Sequence, residues 1–102
     1  LIRQADGLMI VSGSGETPVT LHLARLAHGF GAQIIVFTTR PGSTLAGLAE
    51  AVVDVPAAGS RQFGGSLFEQ GTLLLFDALI LDLTAGDPEA YTVMQARHAN
   101  LE

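Results

Sequence analysis

Between Val11 and Pro18 the chain reads Ser12-Gly13-Ser14-Gly15-Glu16-Thr17, three hydroxyls and two glycines within six residues. Glycines let a backbone approach a ligand closely, and the hydroxyls add hydrogen-bonding groups around the same point. Placed between a strand end and a helix start, such a run suits a phosphate dianion. The first N–H groups of a helix are unpaired and carry a partial positive charge. Ser12, Gly13, Ser14, Gly15 and Thr17 are therefore the candidate phosphate-binding residues. The plainer alternative is a Gly/Ser turn in which Thr17 only caps the helix; the density of hydroxyls favours the anion cradle. A nicotinamide dinucleotide competes, since Gly13-x-Gly15 begins its fingerprint. Pro18, however, stands where the third glycine belongs, and the next strand ends in Thr38-Thr39-Arg40 in place of an acidic residue. Arg40 leaves an NADP reading open, while the absence of a following Lys removes a Walker loop.

Two further residues have types suited to proton transfer. Glu69 lies near the start of an apolar segment, with Leu73, Phe76 and Ile80 at helical spacing on its own face. A carboxylate against an apolar stripe has its pKa raised and suits a general base near neutral pH. The equal alternative is a first-turn Glu that complements the helix dipole from solvent. His98 shares a face with Tyr91, Met94 and Leu101, and is either a catalytic group or a packed or surface histidine. His22 and His28 fall in the first helix, Arg61 in a long loop, and Asp77 and Asp82 inside the apolar helix, where interhelical contacts are their expected role. No His pair combines metal-ligand spacing with a carboxylate, and the chain has no Cys, so no metal site is expected.

The elements that must position these groups follow from hydrophobic periodicity. Leu8-Met9-Ile10-Val11 and Ile34-Ile35-Val36-Phe37 are continuous apolar runs that predict buried parallel strands, with a third at Val52–Val55. Thr17-Pro18 opens a helix with Val19, Leu23, Leu26, Ala27 and Phe30 on one face, stopped by Gly29 and Gly31. Ser43 or Thr44 caps a short helix that turns Leu45, Leu48 and Ala49 inward. Pro56 to Gly65 is a loop, Ser66 to about Leu83 an apolar helix, and a last helix runs from about Pro88. Strands and helices alternating at this spacing predict right-handed crossovers and a parallel sheet. Three strands leave an open edge, and Leu8–Val11 is too apolar to sit there unpaired.

A chain of 102 residues with 48% hydrophobic and 15% charged residues supports one domain with a sizeable core, spanning 1–102. A formal charge of −5 and only five scattered Lys and Arg argue against nucleic acid as a partner. The apolar stretch Leu73–Leu83 is interrupted by Asp77 and Asp82 and is too short to span a bilayer, so no membrane partner is expected. The lack of Cys fits a cytoplasmic location. The chain opens on Leu1 without an initiator Met, which suggests a start inside a longer protein.

The stretch Leu8–Thr17 resembles the phosphate-binding signature of sugar isomerase (SIS) domains. Together with Ser43-Thr44-Leu45-Ala46, Gly65-Ser66-Leu67-Phe68-Glu69-Gln70 and Arg97-His98-Ala99-Asn100-Leu101-Glu102, the chain resembles the 6-phospho-3-hexuloisomerases within that family. The resemblance implies a three-layer α/β/α, flavodoxin-like parallel sheet of five strands, of which about three are present here. It implies interconversion of 3-hexulose 6-phosphate and fructose 6-phosphate, without metal or other cofactor, through a 2,3-enediol in the ribulose monophosphate route of formaldehyde fixation. Ser12, Ser14 and Thr17 would hold the phosphate, Glu69 would move the proton between C2 and C3, and His98 would assist ring opening or shuttle protons between oxygens. A homotetramer with shared sites is implied as well. Two other readings stay open: a non-catalytic SIS module that binds a sugar phosphate as effector, and an aldose–ketose isomerase acting at C1 and C2.

Overall fold

A computed structural model describes residues 5–57 and 59–99. Its elements in chain order are β1 (Gly7–Val11), α1 (Pro18–Gly29), β2 (Gln33–Thr38), β3 (Ala51–Asp54), α2 (Ser66–Thr84) and α3 (Pro88–Ala99). The short helix expected after Ser43 is a single 3-10 turn, Ala46–Leu48, with the Ser43 hydroxyl accepting the Ala46 N–H at 3.3 Å. Of the C-terminal motif, Asn100, Leu101 and Glu102 lie outside the described residues.

The chain forms two compact units, Leu1–Thr72 and Leu73–Glu102. The first contains the sheet, ordered β1-β2-β3 with both neighbouring pairs parallel. Ile10 lies opposite Val36, and Val36 opposite Val52. The predicted α/β class with three parallel strands is therefore what the sequence folds into.

The core forms where α1 lies on one face of this sheet. Leu21, Ala24 and Ala27 of the helix meet Ile10, Ile34 and Val36, with Leu45 of the following turn completing the cluster. This corrects the expected helix face. Of Val19, Leu23, Leu26, Ala27 and Phe30, only Ala27 is buried, and the other four are between 47% and 70% exposed. The helix carries two apolar stripes. The one with two alanines lets the helix axis come closer to the sheet, where contacts are densest. The burial expected for β1 is also revised. Ile10 is buried, but Met9 and Val11 project from the opposite face of the strand and remain nearly half exposed.

Two carboxylates fasten the sheet and its loops through backbone N–H groups. Glu50, just before β3, accepts the Ile34 N–H and returns its own N–H to the Ile34 carbonyl. Glu16, just before α1, accepts the Thr44 N–H at 2.7 Å. In each case the hydrogen bond holds the carboxyl below its ordinary pKa of 4.5.

The second unit holds the remainder of α2 and all of α3, joined through Gly86 at φ +78. The Asp87 carboxylate accepts the Glu89 and Ala90 N–H groups and caps α3. Leu73, Leu74, Leu81 and Leu83 are each more than 60% exposed. Among the described residues no helix is long and apolar enough to cross a membrane.

A folded-state pKa below the unfolded value makes stability full above about 4.5 and progressively lost as pH falls through the depressed value. The melting temperature should accordingly fall as pH drops below about 4.5, and a Glu16→Gln/Glu50→Gln double variant should show a flatter profile there. A thermal-melt series against pH checks this; parallel profiles would remove both carboxylates as the source.

Candidate functional site

The loop Ser12–Thr17 leaves the C-terminal end of β1 and is gripped from two sides. On the β2 side, the Ser12 N–H donates to the Phe37 carbonyl at 2.9 Å. The Gly13 carbonyl accepts three hydrogen bonds: from the Thr38 hydroxyl at 3.0 Å, the Thr39 hydroxyl at 2.8 Å and the Thr39 N–H at 3.1 Å. On the other side, the Gly15 carbonyl accepts the Leu45 N–H at 3.1 Å, beside the Glu16–Thr44 bond. Glu16 is thus turned onto backbone. A negative charge within a candidate anion-binding loop is tolerable only if directed elsewhere, and the Thr44 N–H provides that direction.

Inside the loop, the Ser12 hydroxyl accepts the Gly15 N–H at 3.2 Å and lies 3.5 Å from the Thr17 hydroxyl. The exposed Ser14 hydroxyl accepts the Glu16 N–H at 3.2 Å. Thr17 stands at the cap position of α1, yet its side chain makes no capping bond. With Pro18 at the first helical position and no acidic residue in the first turn, the helix start keeps its affinity for an anion. All five candidate phosphate residues are brought together on this loop.

Ser12, Gly13 and Thr17 line an open cleft of about 470 Å³ with Val11, Thr20, Phe68 and Glu69. Phe68 is buried, its ring 3.5 Å from where a Cβ on Gly13 would stand. Glu69, in the first turn of α2, is exposed at the cleft wall, which is the solvent-facing one of the two equal alternatives for it. Successive positive-φ glycines, Gly64 and Gly65, let the chain turn sharply into α2 and bring Phe68 and Glu69 there. A second cleft, of about 310 Å³, adjoins Gly13 and Ser14 and is lined by Thr39, Arg40, Ser60 and Gln62. Arg61 is exposed and lines neither.

His98 sits in the last turn of α3, exposed, within the second unit. Among the described residues no three His, Asp or Glu side chains form a group that could hold a metal ion. Sequence reasoning missed Thr20 and Phe68. Thr20 follows Thr17 by three residues and so shares its helix face, and Phe68 directly precedes Glu69.

Gly15 and Gly13 should respond differently to alanine. Gly15 has φ +68, and a Cβ there would stand 2.0 Å from the Ser43 hydroxyl oxygen. Gly15→Ala is expected to cost about 2–4 kcal/mol, with partial recovery on adding Ser43→Gly, whereas Gly13→Ala meets only ordinary contact and should fold normally. Chemical denaturation of the three variants measures this; equal stability of Gly15→Ala and Gly13→Ala would contradict the loop geometry.

Residues 1–81 match the family model described as SIS domain. The chain is 42% identical, over 99% of its own length and 55% of the relative's, to the 3-hexulose-6-phosphate isomerase of Mycobacterium gastri. It is 33% identical to the protein of the same name from Bacillus subtilis (strain 168), over 99% of this chain and 60% of that one. The chain therefore spans somewhat more than half the length of these curated relatives. Among solved structures, the Vibrio vulnificus NanR protein complexed with ManNAc-6P is similar, with a TM-score of 0.81 and 27% identity over 96% of this chain and 38% of that one. With its parallel sheet, its loop at the end of β1 and the family match over residues 1–81, the chain belongs to the SIS domain family.

Proposed function

We propose that this chain carries the phosphate grip and the proton-transferring carboxylate of an isomerase that interconverts 3-hexulose 6-phosphate and fructose 6-phosphate. The observation that supports this reading best is that Glu69 lines the same cleft as Ser12, Gly13 and Thr17. An enzyme acting on a sugar phosphate needs one anchor for the phosphate and one base within reach of the carbon chain. The names of the relatives in Mycobacterium gastri and Bacillus subtilis agree with it.

In this reading the loop N–H groups, with Ser12, Ser14 and Thr17, hold the phosphate at one end of the cleft. The Glu69 carboxylate removes the proton from C2 of the 3-hexulose, leaving a 2,3-enediolate. The same carboxyl returns the proton at C3, while the hydroxyl proton passes between O2 and O3 and the carbonyl moves to C2. His98 assists ring opening or the proton movement between oxygens. The residues themselves supply this chemistry without a cofactor, and the reaction serves formaldehyde fixation by the ribulose monophosphate route in the cytoplasm. A homotetramer would cover the exposed apolar side chains of α1 and α2.

A second reading is a non-catalytic sugar-phosphate sensor, and the similarity to the NanR protein complexed with ManNAc-6P favours it specifically. A sensor needs the loop and no base. Proton exchange into fructose 6-phosphate in D₂O, followed by NMR on the full-length protein, separates the two. Exchange at C3 is expected; exchange at C1 points to an aldose–ketose isomerase, and binding without exchange to a sensor. Glu69→Gln should lower exchange by roughly 10²–10⁴-fold while sugar-phosphate affinity stays within about threefold. Turnover retained in that variant would remove Glu69 as the base.

A further inference from the structure

The hydroxyl of Thr39 has no place in the chemistry above, yet it makes the shortest of the three hydrogen bonds to the Gly13 carbonyl, at 2.8 Å. Thr38 donates to the same oxygen from a fully buried position, and its own oxygen accepts the Arg40 N–H at 3.1 Å. A carbonyl oxygen has two lone pairs, so three donors saturate it and fix its direction towards the end of β2. The peptide joining Gly13 to Ser14 is trans, so its N–H points opposite to its carbonyl. Turning the Gly13 carbonyl onto Thr38 and Thr39 therefore aims the Ser14 N–H away from β2. Among the described residues that N–H has no protein acceptor.

We infer that Thr39 is a positioning residue: with Thr38 it locks the Gly13–Ser14 peptide so that the Ser14 N–H is presented as a fixed donor to the substrate's phosphate. Glycine at position 13 makes this peptide easy to rotate, and without the clamp the N–H would sample directions in which it gives no help to an anion. The entropy of holding the donor is met during folding and not at binding. This inference rests on the phosphate-loop reading of Ser12–Thr17.

The test is Thr39→Val, which keeps the shape and removes the donor, beside Thr39→Ala and Thr39→Ser in the full-length protein. Dissociation constants for inorganic phosphate are measured together with KM and kcat for fructose 6-phosphate. Thr39→Val and Thr39→Ala should weaken phosphate binding and raise KM roughly tenfold, with kcat changed less than about twofold, since a contact made equally in ground and transition state is lost. Thr39→Ser should restore both, and the melting temperatures should stay near that of the parent. Unchanged phosphate affinity in Thr39→Val, or failure of serine to rescue it, overturns the inference while leaving the loop reading intact. A parent protein that binds neither phosphate nor fructose 6-phosphate overturns both. Because phosphate affinity is measured without turnover, the clamp is tested equally in a protein that proves to be a sensor.

Discussion

The Gly13 carbonyl takes hydrogen bonds from two threonine side chains and one backbone N–H at the end of β2, and the shape of the Ser12–Thr17 loop follows from that anchor. A glycine-rich loop has no preferred shape of its own, so its geometry must be imposed by the surroundings. Here the imposing groups belong to β2 and to the turn that follows it. The Leu45 N–H holds the Gly15 carbonyl, the Thr44 N–H holds the Glu16 carboxylate, and the Ser43 side chain fills the space that any residue larger than glycine at position 15 would need. Parallel pairing of β1 with β2 brings these donors to the same end of the sheet as the loop.

In the proposed reading, this arrangement lets an acidic chain offer a site for an anion. The attractive partners are backbone N–H groups and hydroxyls at a helix start, which need no formal positive charge. The nearest acidic side chain, Glu16, is turned onto a backbone donor, and the first turn of α1 has no carboxylate. Glu69 stands apart from the loop on α2, brought to the cleft wall by the turn through Gly64 and Gly65. The loop and Glu69 thus come to one cleft from separate segments of the chain, which is the division the proposed proton transfer on a phosphorylated substrate would require.

The three strands, the loop and the apolar helix after Gly65 were legible in the sequence, because continuous apolar runs ending in glycine and hydroxyl residues have few other structural solutions. The buried face of α1 was not legible. Val19, Leu23, Leu26 and Phe30 form the more hydrophobic stripe, but the sheet accepts Leu21, Ala24 and Ala27, since close approach outweighs side-chain size there. The Thr38–Thr39 pair could be recognised as a strand end and no more; its partner is a carbonyl twenty-five residues before Thr38 and twenty-six before Thr39, a relation that periodicity does not carry. The exposure of Met9 and Val11 escaped for a similar reason, because an apolar run states what a strand would bury and not what is there to cover it.

The bonds that tie the loop to the rest of its unit join Gly13 to Thr38 and Thr39, Gly15 to Leu45 and Glu16 to Thr44, all across the intervening helix and strand. None is local. The local bonds within the loop, from Gly15 to Ser12 and from Glu16 to Ser14, do not supply these ties, which form only once α1 has crossed over and β2 has docked and the closure entropy of that long segment has been met. The tied form of the loop is therefore a property of the assembled βαβ unit, and a chain that had formed its helices without docking β2 would lack it.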